Sequence, residues 1–445
     1  MSAFEFHWEW EDPLAAKGPE LRATWARLEI RVDQTPVTRL IDLRTEASRD
    51  AIYAPLYPVC EWLVHVWWNL LNEPESGPSK HLEDSGFRSR HCLAAAGEGF
   101  SLPELFLIPT GDYCELRWFP AQPPFGSAQF IESGRTRVPV LALKRKLASL
   151  IDAVVARLQD QGIRNSSLED EWNAIQALDG DETAFCEAAG ALGCDPLSMS
   201  EEERERFIGL VGSWDPELLR DMLAVGDPGA FEGDVQRIDR ATEAAKRHAR
   251  ALGPALVGAP RLSASNREMP WQLGYGYARQ LRDHLGLDGN VFRDNASLAQ
   301  AFEREDLPIV EGTAVFGRPS PFDSLAYIGE DRQEACVVNK SRDDSKRFTY
   351  CRSLWMQAVR HFQPGGSLVT HANTETQQAN RAFAAEFLAP AKLLRERLDS
   401  ASIDTDTLDD LAHEFGVSSA VIQHQIENHR LGRIETLSTN EPFSH

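Results

Sequence analysis

Short runs of alternating apolar and polar positions open the chain. TWARLEIRV and VTRLIDLRT read as strands, joined by the turn-like DQTP. The next stretch, YAPLYPVCEWLVHVWWNLLNEP, changes period. Trp62, Leu63, Val66, Trp67, Leu70 and Leu71 recur at three-to-four spacing, which predicts a buried helix stopped by Pro74. ELFLIPT and YCELRWFP return to the strand pattern on either side of a Gly-Asp turn. Tryptophan is dense here (Trp8, Trp10, Trp25, Trp62, Trp67, Trp68, Trp118), and rings that bury so much area read as core before exposed platform.

Helical periodicity then takes over. Leu143, Leu147, Leu150, Ile151, Val154, Val155 and Leu158 form one stripe of a long helix from about Val140 to Leu158, with Lys144, Arg145 and Lys146 on its solvated side. Further on, Ser200 and Glu203 have the spacing of a capping box before EEERERFIGLVG. FCEAAGALGCDPLSMS has the rhythm of a helical hairpin but carries Glu187 and Asp195 and no Arg or Lys, so it reads as structural and not as a DNA reader. Helices continue to about Leu252, and GPALVGAPRLSASNREMP is a loop. The predicted fold class is α+β: a mixed α/β N-terminal domain (1–138), a helical middle region (139–260) and a C-terminal domain (261–445).

Composition narrows the function classes. Apolar content of 42% and charged content of 26% are those of an ordinary globular protein. The net charge of −22 repels nucleic acid and anionic membrane, so direct nucleic-acid binding is not expected. Cys60, Cys92, Cys114, Cys186, Cys194, Cys336 and Cys351 are scattered singly without a CxxC, which argues against a zinc knuckle or a disulfide framework. MSAFEFHWEWEDPLAAKG has no apolar core of a signal peptide, and EWLVHVWWNLL is too short to span a membrane. A cytoplasmic protein with no membrane partner is expected. In the N-terminal half His65, His81, His91, Glu83 and Asp84 have ligand chemistry, but no spacing sets them in a ligand geometry.

The C-terminal part has a more specific order. LGYGYARQLRDHLGL is a helix, and PFDSLAYIGEDRQEACVVNKSRDDSKRFTY gives two strands, an acidic turn and the opening of a second helix. QQANRAFAAEFLAPAKLLRERL and DTLDDLAHEFGVSSAVIQHQIENHRLG follow. KRFTY, NRAFAAEFLAP and LAHEFGVSSAVIQHQIEN carry a resemblance, over residues about 265–435, to the ImmA/IrrE metallopeptidases. The resemblance implies a zincin-like fold. It also implies an HExxH helix with a third, glutamate ligand from a later helix, and cleavage of helix-turn-helix repressors in bacterial stress responses and phage-like elements. HExxH chemistry needs two histidines one helical turn apart and a glutamate base. In the matching frame this chain reads Arg352-Ser353-Leu354-Trp355-Met356, and the third ligand falls at Gln377, or at Gln378 one register on. A permanently charged guanidinium beside weak or neutral groups cannot hold zinc.

Three functions follow as expectations. The first is a peptidase-derived module with no catalytic residue, metal or cofactor, binding a protein or peptide. Arg352 would then meet a carboxylate in the old groove, with Glu375 and Glu386 as partners within the chain. The second is a transcription or stress-response regulator acting through a helix-turn-helix repressor. The third is a hydrolase with a relocated His361, His371 and Glu375 site. The tail has helix-turn-helix spacing and offers Gln423, His424, Gln425, Asn428 and His429 on its second helix. Its first helix is acidic, with Asp406, Asp409, Asp410 and Glu414, and a structural role is expected.

Overall fold

The computed structural model describes residues 4–12, 17–75, 84–97, 99–123, 126–261, 268–398 and 402–435. The chain forms two units, Met1–Pro216 with Ala372–Thr374, and Glu217–His371 with Glu375–His445. The fold is mixed α+β with a helical middle region, as the periodicities predict.

In the first unit the strand Phe4–Trp10 pairs antiparallel along the whole of Trp25–Val32, whose other side takes Thr35–Pro36 and Ile52–Pro55. A second sheet runs in the order Gly134–Pro139, Tyr113–Phe119, Glu104–Pro109. VTRLIDLRT gives less strand than expected. Only Leu40–Asp42 is extended, because Arg39 N–H turns back to the Pro36 carbonyl and the Thr45 and Glu46 N–H groups turn back to Asp42. The tryptophan-rich helix is likewise broken, at Val66, into Tyr57–His65 and Trp67–Asn72. The rings do build the core. Trp67 and Trp118 are buried, and Trp8, Trp10, Trp62 and Trp68 pack against the same cluster.

The helix Val140–Asp160 buries Leu143, Leu147, Leu150, Ile151, Val154 and Leu158 in that core. The helical middle region, 139–260, divides between the two units at Pro216. Helices up to Glu201–Ser213 belong to the first unit, and Phe231–His248 belongs to the second. The division follows which core each apolar stripe completes.

The second unit holds a sheet in the order Arg250–Ala251, Gln333–Val338, Phe322–Ile328, Gly365–Thr370, with Ile309–Glu311 parallel to Gln333–Val338. The helix Asp343–Val359 packs on it and buries Tyr350, Cys351, Leu354, Trp355 and Met356. Helix Pro270–His284 crosses Glu375–Leu388 so closely that a Cβ on Gly274 would lie 2.3 Å from the Ala379 carbonyl oxygen. Backbone cannot give way as a side chain can. Gly274→Ala is therefore expected to destabilise this unit by about 1–3 kcal/mol, measured by denaturant unfolding; a loss under about 0.5 kcal/mol would contradict the close crossing. All seven cysteines are free. Among the described residues no helix is long and apolar enough to cross a membrane.

Candidate functional site

Asp343 and Asp344 stabilise the first turn of helix Asp343–Val359, and its next turns deliver Arg352 into the interior. Arg352 is 5% exposed. Its fork is spent within the unit: Nε donates to Asn380 Oδ1 (2.8 Å) and Nη1 to Asp323 Oδ2 (2.8 Å). Nη2 donates to the Thr370 carbonyl (2.6 Å) and to Gln377 Oε1 (3.0 Å). Lys340 Nζ reaches the other Asp323 oxygen at 2.5 Å. Burial pushes Asp323 upward, but Arg352 and Lys340 outweigh it and hold the carboxylate below its usual range. Burial in turn lowers Arg352, with Asp323 opposing.

Gln377 is the second hub. Its Oε1 also accepts from Asn380 Nδ2 (2.9 Å) and the Thr370 N–H (3.0 Å). Its Nε2 donates to the Leu368 carbonyl (2.8 Å) and to Asp221 Oδ1 (3.2 Å). Asn380 Nδ2 also lies 3.5 Å from Met356 Sδ. Asp221, near the end of helix Pro216–Leu223, is buried, and its Oδ2 has no hydrogen-bond partner among the described residues. Desolvation pushes it up to about 7, against the opposing bonds from Gln377 and the Leu368 N–H.

These side chains close a strand edge. Gly365–Thr370 ends its sheet, paired only with Phe322–Ile328 among the described residues. Its outward peptide groups would be free to pair with another chain. Instead Gln377 takes the Leu368 carbonyl and the Thr370 N–H, and Arg352 takes the Thr370 carbonyl. Asp221 takes the Leu368 N–H, and Arg360 Nη1 reaches the Gly366 carbonyl at 3.1 Å. Few of the strand's outward main-chain groups are left for a peptide to pair with.

Three of the four positions singled out by the HExxH frame, Arg352, Met356 and Gln377, therefore converge. Ser353 does not join them. It faces the sheet, with its Oγ 2.8 Å from Ser324 Oγ and 3.1 Å from Cys336 Sγ. The carboxylate on Arg352 is Asp323, not Glu375 or Glu386. Glu386 lies on another face of its helix, accepting from Arg279 Nε (2.8 Å), Gln425 Nε2 (2.9 Å) and the Ala391 N–H (3.2 Å). Glu375 stands in the first turn of the same helix. Asp323 and Asn380 were missed, although a carboxylate inside the strand pattern PFDSLAY is the kind of misfit that marks a buried partner.

The relocated metal site is not assembled. His361 and His371 are exposed, and no group of three or more His, Cys, Asp or Glu able to hold a metal occurs among the described residues. In the first unit His91 is buried with both ring nitrogens engaged, at 2.8 Å from the Leu107 carbonyl and 3.2 Å from Glu73. Asp84 caps the helix Ser85–His91, and His65 is exposed. His81 and Glu83 lie outside the described residues.

The tail is tied down. Gln425 is buried on Glu386 and the Ala389 carbonyl, Asn428 bonds the Tyr275 hydroxyl at 3.1 Å, and the His429 ring lies 4.6 Å from that of Tyr275. Gln423 bonds Glu427 on its own helix. Arg347 of KRFTY bonds Asn295 and the Gly416 carbonyl, fixing the turn between Thr405–Phe415 and Ser419–His429. The residues a DNA-reading helix would need are largely used inside the unit. No protein-family model matches the chain, and no curated protein matches it at a significant level.

Proposed function

We propose that residues about 265–435 are a zincin-like domain of the ImmA/IrrE type whose metal position is filled by side chains, serving as a non-catalytic protein-binding or regulatory module. The observation that carries this reading is the convergence of Arg352, Met356 and Gln377, the three positions where the frame would place zinc ligands. A guanidinium at that centre with a lysine beside it repels a divalent cation. The closed strand edge supports the same conclusion, since an extended substrate finds few main-chain groups to pair with. Partner contact then falls on surfaces other than the Arg352 fork, which is spent internally.

The test is to put ligands back. Protein purified without chelator is expected to carry less than about a tenth of an equivalent of zinc, while Arg352→His with Met356→His and Gln377→Glu is expected to gain a zinc site. Ser353→Glu is left out because that side chain faces the sheet. A folded triple variant that takes up no more zinc than the parent would show the frame to be misplaced.

A second reading, regulation through a repressor partner, draws on the net charge of −22, which speeds encounter with a basic protein. The engagement of Gln425, Asn428 and His429 within the unit favours contact through such a partner over direct base reading.

A further inference from the structure

The first unit has an open edge where the second has a closed one. Phe4–Trp10 lies at the end of its sheet, and among the described residues no strand pairs with its outer side. The Glu11 N–H donates to the Trp25 carbonyl at 2.9 Å, in register with the ladder. Opposed residues alternate between bonded and non-bonded pairs, so Glu5, His7 and Glu9 turn their peptide groups inward and Phe6, Trp8 and Trp10 turn theirs outward. The strand's side chains sort the other way. Phe6, Trp8 and Trp10 pack against the core, while Glu5, His7 and Glu9 stand on the opposite face.

That face is a charge ladder. Glu5 is opposite Arg31, His7 opposite Glu29, and Glu9 opposite Arg27. Both arginines lean to Glu29, at 2.5 Å for Arg31 and 3.9 Å for Arg27. Glu5 has His7 at 3.2 Å and Lys146 at 3.9 Å, whereas Glu9 has no ion pair among the described residues. Glu11 and Asp12 continue the negative run, exposed.

We propose that the outer edge of Phe4–Trp10 is a docking edge for an extended basic segment of another protein, which adds as a further strand. Main-chain bonds to Phe6, Trp8 and Trp10 would hold it, and cations four residues apart would stand opposite Glu5 and Glu9. A second copy of this chain is the poorer occupant. Antiparallel self-pairing about His7 sets Glu5 against Glu9 twice, the like-charge arrangement by which edge strands avoid each other.

The probe is a seven-residue peptide with lysine at its second and sixth positions and threonine or valine elsewhere, which fits in either direction. It is titrated onto the full chain and followed by amide-resolved hydrogen exchange. The amides of Phe6, Trp8 and Trp10 should gain protection, and those of His7 and Glu9, already bonded, should change little. The same peptide with glutamate in place of lysine should bind about tenfold more weakly. Glu5→Lys with Glu9→Lys should reverse that preference, and Glu5→Gln with Glu9→Gln should abolish it without setting new cations beside Arg27 and Arg31. Equal binding of the two peptides, or no protection at the three outward amides, overturns the proposal. So does protection that rises with protein concentration alone, which would assign the edge to a second copy.

Discussion

Replacing Arg352 with alanine is expected to lower the stability of the second unit by about 3–5 kcal/mol, the range for removing one partner of a buried ion pair. The loss has identifiable parts. Asp323 would keep only Lys340, while the Thr370 carbonyl and Asn380 Oδ1 would lose their donor in a site closed to water. Each orphaned buried group costs about 1–3 kcal/mol. Arg352→Lys keeps the charge but not the fork, cannot reach four acceptors in three directions, and should fall between parent and alanine. Calorimetry or denaturant unfolding of the full chain measures both. A loss under about 1 kcal/mol for the alanine variant would mean that the network forms without its centre.

The contribution of Asp221 to stability should also fall as pH rises from about 4 to 7. Its folded-state pKa is raised to about 7 from an ordinary 3.8. Below about pH 4 the carboxyl holds its proton whether the chain is folded or not, and contributes no difference. Between about 4 and 7 the unfolded chain releases the proton and the folded one does not, so the unfolded state gains, by about 1.4 kcal/mol per pH unit at most. Above about 7 both are ionised and the penalty stays constant. Asp221→Asn removes the titration and is expected to stabilise the protein by about 1–3 kcal/mol at pH 8, with little change at pH 4. Glu334, buried beside Arg304 and also raised to about 7, titrates in the same direction and leaves a residual slope. Unfolding free energies of parent and variant at several pH values decide it, and parallel curves would show that Asp221 is ionised in the folded protein throughout.

Much of the architecture was legible where one period ran long enough. The stripe from Leu143 to Leu158 marked its helix to within two residues, because a buried face repeats and nothing interrupts it. Whose core that helix completes was not legible, since periodicity says which face is buried and not against what. VTRLIDLRT failed because alternation over a few residues cannot reveal a turn formed by main-chain bonds at Asp42. At the site, Arg352, Met356 and Gln377 were singled out by the HExxH frame that the resemblance implies; helical spacing fixes only Arg352 and Met356 relative to each other, and Gln377 lies on another helix. Asp323 and Asn380 could not be assigned to Arg352, because their pairing spans a strand and a second helix.

The strand Gly365–Thr370 carries none of the alternation that would announce it, and the Gly pair and Pro364 before it hide it further. Its edge is finished by side chains from distant parts of the sequence, which has a consequence for how this protein can vary. Arg352 donates to the Thr370 carbonyl and Asn380 Oδ1, and Gln377 takes the Leu368 carbonyl and the Thr370 N–H, so a change at either one leaves a buried donor or acceptor stranded. A replacement of this pair gains only when both members change together, and either single-step intermediate is worse than both ends. Mutation by one residue at a time therefore meets a ratchet here. Homologous chains should keep Arg352 and Gln377 together or exchange them together, and mixed pairs should be rare.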